Sequence, residues 1–229
     1  MNEEMIVVTD EWRETFPGAC VGFMALSGVL NAPSHAGLET RKEALLEDLI
    51  SRYGGMSREE LGQLPVLQAY NAYYSRFKKT YHVFLQLESV AVKGKGFPRV
   101  AALVEAMFMA EVKNMLLTAG HDIDRLKLPL TLDVTRGGER CILMRGTEQE
   151  LKAGDMFIRD QEAVISSIVY GPDAYTAIQP STRKALFVVY APAGVSAAQV
   201  QAHLEEIEEL AGVISPGAKR ELLEIKRGQ

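Results

Sequence analysis

The chain is poor in the residues that build metal and redox centres. It has two cysteines and four histidines in 229 residues. Cys20 and Cys141 show no metal or redox spacing, and each lies in an apolar run, as a small core residue does. His35, His82 and His203 are scattered, with no His-x-x-x-His or His-Glu pattern, which disfavours metal catalysis. Ser166, Ser167 and Ser181 lack the Gly-x-Ser-x-Gly elbow of a serine hydrolase. No cofactor is expected. No apolar run approaches the ~20 residues of a membrane span, so no membrane partner is expected. The opening Asn2-Glu3-Glu4 lacks the basic and apolar regions of a secretory leader. A cytoplasmic setting with reduced thiols is the expectation. Positive charge is also scarce: 25 Lys and Arg against 30 Asp and Glu give a net charge of −5. That excludes a broad nonspecific nucleic-acid surface, DNA included. Recognition of one RNA terminus by a few local cations stays open.

What is present is a core. Hydrophobic residues make up 47% of the chain, enough for one large domain. Residues 5–8 and 19–26 read as strands. Residues 38–53 read as a helix that ends at Gly54-Gly55, with Lys42 among the polar positions. Ser57 and Glu60 form a capping box. Pro65 opens a helix over 65–76, and Tyr70, Tyr73, Tyr74 and Phe77 fall at helical spacing, as core and groove lining. Another helix is expected from Thr80 to about Val92. A long amphipathic helix follows over 98–118, with Gly120 where a left-handed cap belongs. The period then becomes strand-like. Residues 130–134 and 140–144 read as a hairpin around Arg136-Gly137-Gly138-Glu139. Further strands are expected over 156–158, 163–169 and 185–190, and polar helices over 196–211 and 216–226. This order predicts an α+β or mixed α/β fold, with helices on a mostly antiparallel or mixed sheet. The main domain is expected over 1–192, with a helical extension over 193–229.

Several blocks stand out: Lys93-Gly94-Lys95-Gly96, Ala119-Gly120-His121-Asp122-Ile123-Asp124, Gly137-Gly138-Glu139, Gly154 to Asp160, and Thr182 to Tyr190. His121, read just past a helix end beside a glycine, can face a cleft. A neutral imidazole both donates and accepts hydrogen bonds, which suits holding a water or a ribose hydroxyl. A polar residue favoured by the helix dipole is the plainer reading. Asp122 and Asp124 either orient the ring or fix a turn. Lys93-Gly94-Lys95-Gly96 lacks the order of a nucleotide-binding P-loop. It is a helix-to-helix turn or a phosphate contact.

In their order and spacing these blocks resemble the B3/B4 domain, the aminoacyl-tRNA editing module of the phenylalanyl-tRNA synthetase β subunit, which also exists as free-standing proteins. The resemblance covers about residues 20–192. It implies a free-standing hydrolase that cleaves the ester of a mischarged tRNA, with a near-cognate or non-proteinogenic amino acid such as an arginine analogue as substrate. Asp122, Glu105 and Glu111 are candidates for a cation-friendly pocket. The resemblance makes His121 and Asp122 the expected catalytic residues. Met107, Phe108, Glu139, Tyr170 and Tyr190 are expected to contact substrate, and Lys93, Lys95 and Arg99 to contact tRNA. Met107 and Phe108 stand where the family has polar residues, and Tyr190 where it has a carboxylate. Backbone amides at 120–122 and 170–176 are the candidate oxyanion contacts. The alternative is a tRNA- or protein-binding module that kept the fold and lost catalysis.

Overall fold

A computed structural model describes residues 5–229; Asn2-Glu3-Glu4, and the leader reading that rests on them, lie outside these residues. The chain opens with β1 (Ile6–Val8), α1 (Asp10–Thr15) and β2 (Cys20–Ser27). Helices α2 (Ala36–Tyr53), α3 (Arg58–Gly62), α4 (Pro65–Ser75) and α5 (His82–Leu87) follow, and α5 runs into a π-helical turn at Glu88–Val92. The Ser57–Glu60 capping box forms at α3, and Pro65 takes the first turn of α4.

Helix α6 (Ala102–Asn114) is shorter than its apolar pattern suggests, and β3 (Leu117–Asp122) begins almost at once. Met115, at φ 59°, takes the left-handed position, a cost of about 1–2 kcal/mol for a side chain with Cβ. Tyr81 Oη donates to the Met115 carbonyl at 2.9 Å. Gly120 therefore lies in a strand rather than in a cap. It permits close approach: an added Cβ would stand 2.8 Å from Ile178 Cδ1 and 3.1 Å from Met107 Sδ.

A 3-10 turn (Ile123–Arg125) leads to β4 (Leu130–Val134), β5 (Arg140–Ile142), β6 (Glu148–Glu150), β7 (Met156–Arg159), β8 (Val164–Ser167), β9 (Gly171–Pro172) and β10 (Lys184–Ala191). The expected hairpin of 130–134 with 140–144 does not form. β4 pairs in parallel with β1 and antiparallel with β7, while β5 pairs with β6 as a separate ribbon. Both edges of β4 are used, so β5 has no place beside it.

Helix α7 (Ala197–Ile214) is followed by β11 (Lys219–Arg227) instead of a second helix. Leu222, Leu223 and Ile225 fit either period, and pairing with β2 decides between them. The C-terminal segment thus completes a sheet of order β11-β2-β10-β3, antiparallel throughout, with α6 and α7 on one face. A second, mixed sheet has the order β1-β4-β7-β8-β9. The α+β expectation holds.

The tyrosines of α4 tie the sheets together from within the core. Tyr70 Oη donates to the Tyr190 carbonyl of β10 and accepts from the Leu117 amide of β3. Tyr73 Oη donates to Asp155 and accepts from the Met156 amide of β7, and Tyr74 Oη donates to the Ile168 carbonyl beyond β8. Buried hydroxyls satisfied in this way keep an aromatic core free of desolvation penalties.

Glu111 of α6 is buried against β3, its carboxyl accepting the Thr118 amide at 2.7 Å. Burial pushes this carboxyl up to about 8. Raised above its unfolded value, it contributes stability below about pH 4.5 that is lost as pH rises through about 8. Glu111→Gln keeps an acceptor and removes the titration. Its melting temperature is expected to gain on the wild type steadily between pH 5 and about pH 8 and to level off above that. A difference that stays flat across that range in calorimetry would refute a neutral buried carboxyl.

Candidate functional site

Successive residues of a strand face opposite ways, and β3 uses this to separate two chemistries. Thr118 meets His203 of α7 at 2.7 Å, and Gly120 faces Met107 of α6. His121 points the other way, toward the second sheet. Its Nδ1 stands 2.7 Å from Thr176 Oγ1, and the ring is wholly buried. It is a strand residue rather than a loop residue, because the chain needs β3 as an edge for β10.

Thr176 belongs to a turn built by Asp173. The Asp173 carboxylate accepts the Tyr175 amide at 2.9 Å, the Thr176 amide at 3.2 Å, and the Thr176 hydroxyl. With the single hydroxyl proton of Thr176 given to Asp173, His121 Nδ1 must be the donor to Thr176. Nε2 is then a bare acceptor, and it has no hydrogen-bond partner among the described residues. Burial holds the imidazole down at about 4, against the opposing influence of the Asp160 charge. His121 is therefore neutral near pH 7.

Thr176 and Asp173 line a cleft of ≈ 330 Å³ between β8, the β5–β6 ribbon and the 173–176 turn. Glu148, Asp160, Glu162 and Asp173 give it four carboxylates against one guanidinium, that of Arg140. Arg140 is already engaged by Glu148 at 3.2 Å and Glu150 at 3.7 Å. The Asp160 carboxylate accepts the amides of Lys127, Glu162 and Ala163 at 2.8–3.0 Å. Glu162 is exposed and forms no ion pair among the described residues. The Cys141 thiol also lines the cleft, but burial pushes it up to about 11, so it stays protonated. A second trough of ≈ 470 Å³ shares Arg140, Asp160 and Glu162 with the cleft and adds Arg136, Glu139 and Arg159.

The residues singled out in the sequence scatter around this cleft. Asp122, adjacent to His121, faces away from the ring: it accepts Thr182 Oγ1 at 2.6 Å and the Asp124 amide at 3.1 Å. Met107 and Phe108 are half-buried and pack on the core. Glu139 lines the second trough, yet its oxygens hold the Arg136 and Gly137 amides at 2.7 and 2.9 Å. Tyr170 packs under Lys79, whose Nζ stands 4.3 Å from the ring centroid. Tyr190 is fully buried, its hydroxyl 2.6 Å from Ser166 Oγ. Lys93, Lys95 and Arg99 are exposed and line neither cavity; Lys93 pairs with Glu88 at 3.2 Å. Glu105 is buried against Lys42, and Glu111 against the Thr118 amide.

The expected oxyanion amides at 122, 170 and 173–176 are engaged. Those of Asp173, Ala174, Tyr175 and Thr176 donate to Ile165, Ile142 and the Asp173 carboxylate, and the Asp122 amide donates to Thr176. Sequence reading missed Asp160, Asp173 and Thr176. The available signal was Asp160-Gln161-Glu162 and Asp173-Ala174-Tyr175, where an aspartate captures the amides that follow it.

No protein-family model and no curated protein matches the chain. Among solved structures, it is similar to an N-terminal fragment of the phenylalanyl-tRNA synthetase β-subunit from Pyrococcus horikoshii, with a TM-score of 0.50 and 10% identity. The likeness covers 99% of this chain and 55% of that one, so this chain spans about half the length of the fragment. At that identity the likeness concerns the fold alone: the chain is built like part of the synthetase β-subunit fragment.

Proposed function

We propose that this chain is a B3/B4-type editing domain acting in trans, which takes the 3′ end of a mischarged tRNA into the carboxylate-lined cleft and hydrolyses its aminoacyl ester. Water attacks the ester carbonyl carbon, the bond to the ribose oxygen breaks, and the free amino acid leaves while the ribose oxygen regains a proton. Because the nearby amides are engaged and His121 lies behind Thr176, the protein acts mainly by position. The neighbouring ribose hydroxyl moves the proton. His121 and Asp173 hold Thr176 at the cleft, and His121 is thus a positioning residue. The observation that carries this reading is the cleft itself, four carboxylates around one engaged arginine. That lining favours an amino acid with a cationic side chain, of which an arginine analogue is one. The fold likeness to a synthetase β-subunit fragment supports tRNA as the carrier.

A second reading, a tRNA-binding module without turnover, is favoured by the engagement of the amides at 122 and 173–176. Incubating the purified protein with a panel of mischarged tRNAs separates the two: ester loss supports the enzyme, and saturable binding without ester loss supports the module. Lys93, Lys95 and Arg99 are proposed as remote phosphate contacts of the same RNA. Charge reversal at Lys93 and Lys95 is expected to weaken tRNA binding and flatten its salt dependence. An unchanged slope in a salt titration would return them to ordinary solvated charges.

A further inference from the structure

Tyr175 is the most exposed large apolar side chain among the described residues, at 61%. It lines the cleft together with Ile142, itself 46% exposed. Such a ring on a free protein surface gains little from its position. Its backbone is nonetheless firmly held: the Tyr175 amide donates to Asp173 at 2.9 Å, and its carbonyl accepts Arg125 Nη1 at 2.6 Å. The Arg125 guanidinium stands 5.5 Å from the ring centroid, within the range of a cation–π contact. Arg125 forms no ion pair among the described residues, and neither does Lys127. Lys127 is tied to the far side of the cleft, where its amide donates to Asp160 at 3.0 Å and its carbonyl accepts the Gln161 amide at 3.0 Å. The segment 125–127 thus runs along the cleft from Tyr175 to Asp160. It carries two cations that form no ion pair among the described residues, next to a cleft lined by carboxylates.

This order of chemistry, an open aromatic ring with cations beside it and carboxylates within, fits a ligand with a flat base, a phosphate and a cationic end. We propose that Tyr175 is a stacking platform for the terminal adenine of the tRNA, with Arg125 and Lys127 on the phosphate that precedes it. The inference rests on the proposed function and names how the same site holds its RNA. An aromatic ring stacks on any base without reading it, so Tyr175 contributes affinity and placement while the cleft selects the amino acid.

The test uses a charged RNA minihelix ending in adenosine and two uncharged ones, one ending in adenosine and one whose last nucleotide is abasic. For the wild type, loss of the last base is expected to weaken binding about 10-fold. Tyr175→Ala is expected to raise KM for the charged minihelix by a similar factor at unchanged kcat, and to bind the intact and abasic ends alike. Tyr175→Phe and Tyr175→Trp are expected to keep wild-type KM. Arg125→Gln is expected to lower the salt slope by about one phosphate contact. If the wild type hydrolyses the minihelix while Tyr175→Ala keeps both its KM and its preference for the intact end, the stacking role is overturned and the proposed function stands. If the wild type neither binds nor hydrolyses it, both fall together.

Discussion

Asp173→Ala is expected to slow ester hydrolysis about 10²-fold, the loss associated with misplacing a site by about 1 Å. One carboxylate holds the amides of Tyr175 and Thr176 and the Thr176 hydroxyl. Removing it frees the turn that forms one side of the cleft. The loss is expected in kcat under single-turnover conditions, with melting curves used to confirm that the variant is folded. Asp173→Asn, which keeps acceptor oxygen but not charge, is expected to lose less. His121→Ala is expected to lose about 10-fold, less than the 10²–10⁴ typical of a proton-transfer group, because the ring acts through Thr176. It is also expected to cost stability, since the ring is wholly buried. A kcat for Asp173→Ala equal to wild type would remove the turn from the mechanism. A loss at His121 far above that at Asp173 would place Nε2 in proton transfer.

Lys42→Met is expected to destabilise the fold by about 3–5 kcal/mol, the usual result of stripping one partner from a buried ion pair. Lys42 bridges α2 to α6 by contacting Glu105, and it also contacts Glu39 at 2.7 Å. Glu105 is only 3% exposed and also accepts the Val100 amide at 2.8 Å. Without the ammonium, its charge stands uncompensated beside the core. For a domain of this size the melting temperature is expected to drop by about 10 °C. The double variant Lys42→Met, Glu105→Met is expected to recover most of that loss, because paired replacement by apolar residues is often neutral. Recovery is read in denaturant titrations of the wild type, the single variant and the double variant. A single variant as stable as the wild type would contradict the burial of this pair.

These two sites show what the sequence can and cannot convey. Helix starts carried their own signals: the Ser57–Glu60 box and Pro65 formed as read. Period alone misplaced Lys42 on a polar face, because a helix pattern cannot say that α6 will cover it. It also extended α6 past its end and turned β11 into a helix, since strand pairing partners lie far away in the chain. β11 pairs with β2 about two hundred residues earlier. His121 was found through its neighbours in sequence, yet its partner Thr176 lies 55 residues further on. The cleft is assembled from β5, β8 and the 173–176 turn, none of which carries a motif alone. Tyr190 stands where the resemblance has a carboxylate and Tyr170 in the segment before it, but packing puts Tyr190 in the core and leaves Tyr170 half-buried against it. Glu105 and Glu111 were read as cation-binding carboxylates and are instead engaged inside the fold. The acidic cleft forms from other residues.

The most direct test compares two esters on one tRNA, one of an amino acid with a guanidino-type cationic side chain and one of its neutral isostere. With purified protein in excess, the cationic ester is expected to be hydrolysed at least about 10-fold faster, a difference of about 1.4 kcal/mol. That preference is expected to shrink in Glu162→Gln, which removes a cleft carboxylate that has no ion-pair partner among the described residues. Equal rates for the two esters, or binding of both tRNAs with hydrolysis of neither, would contradict an editing cleft built for a cation.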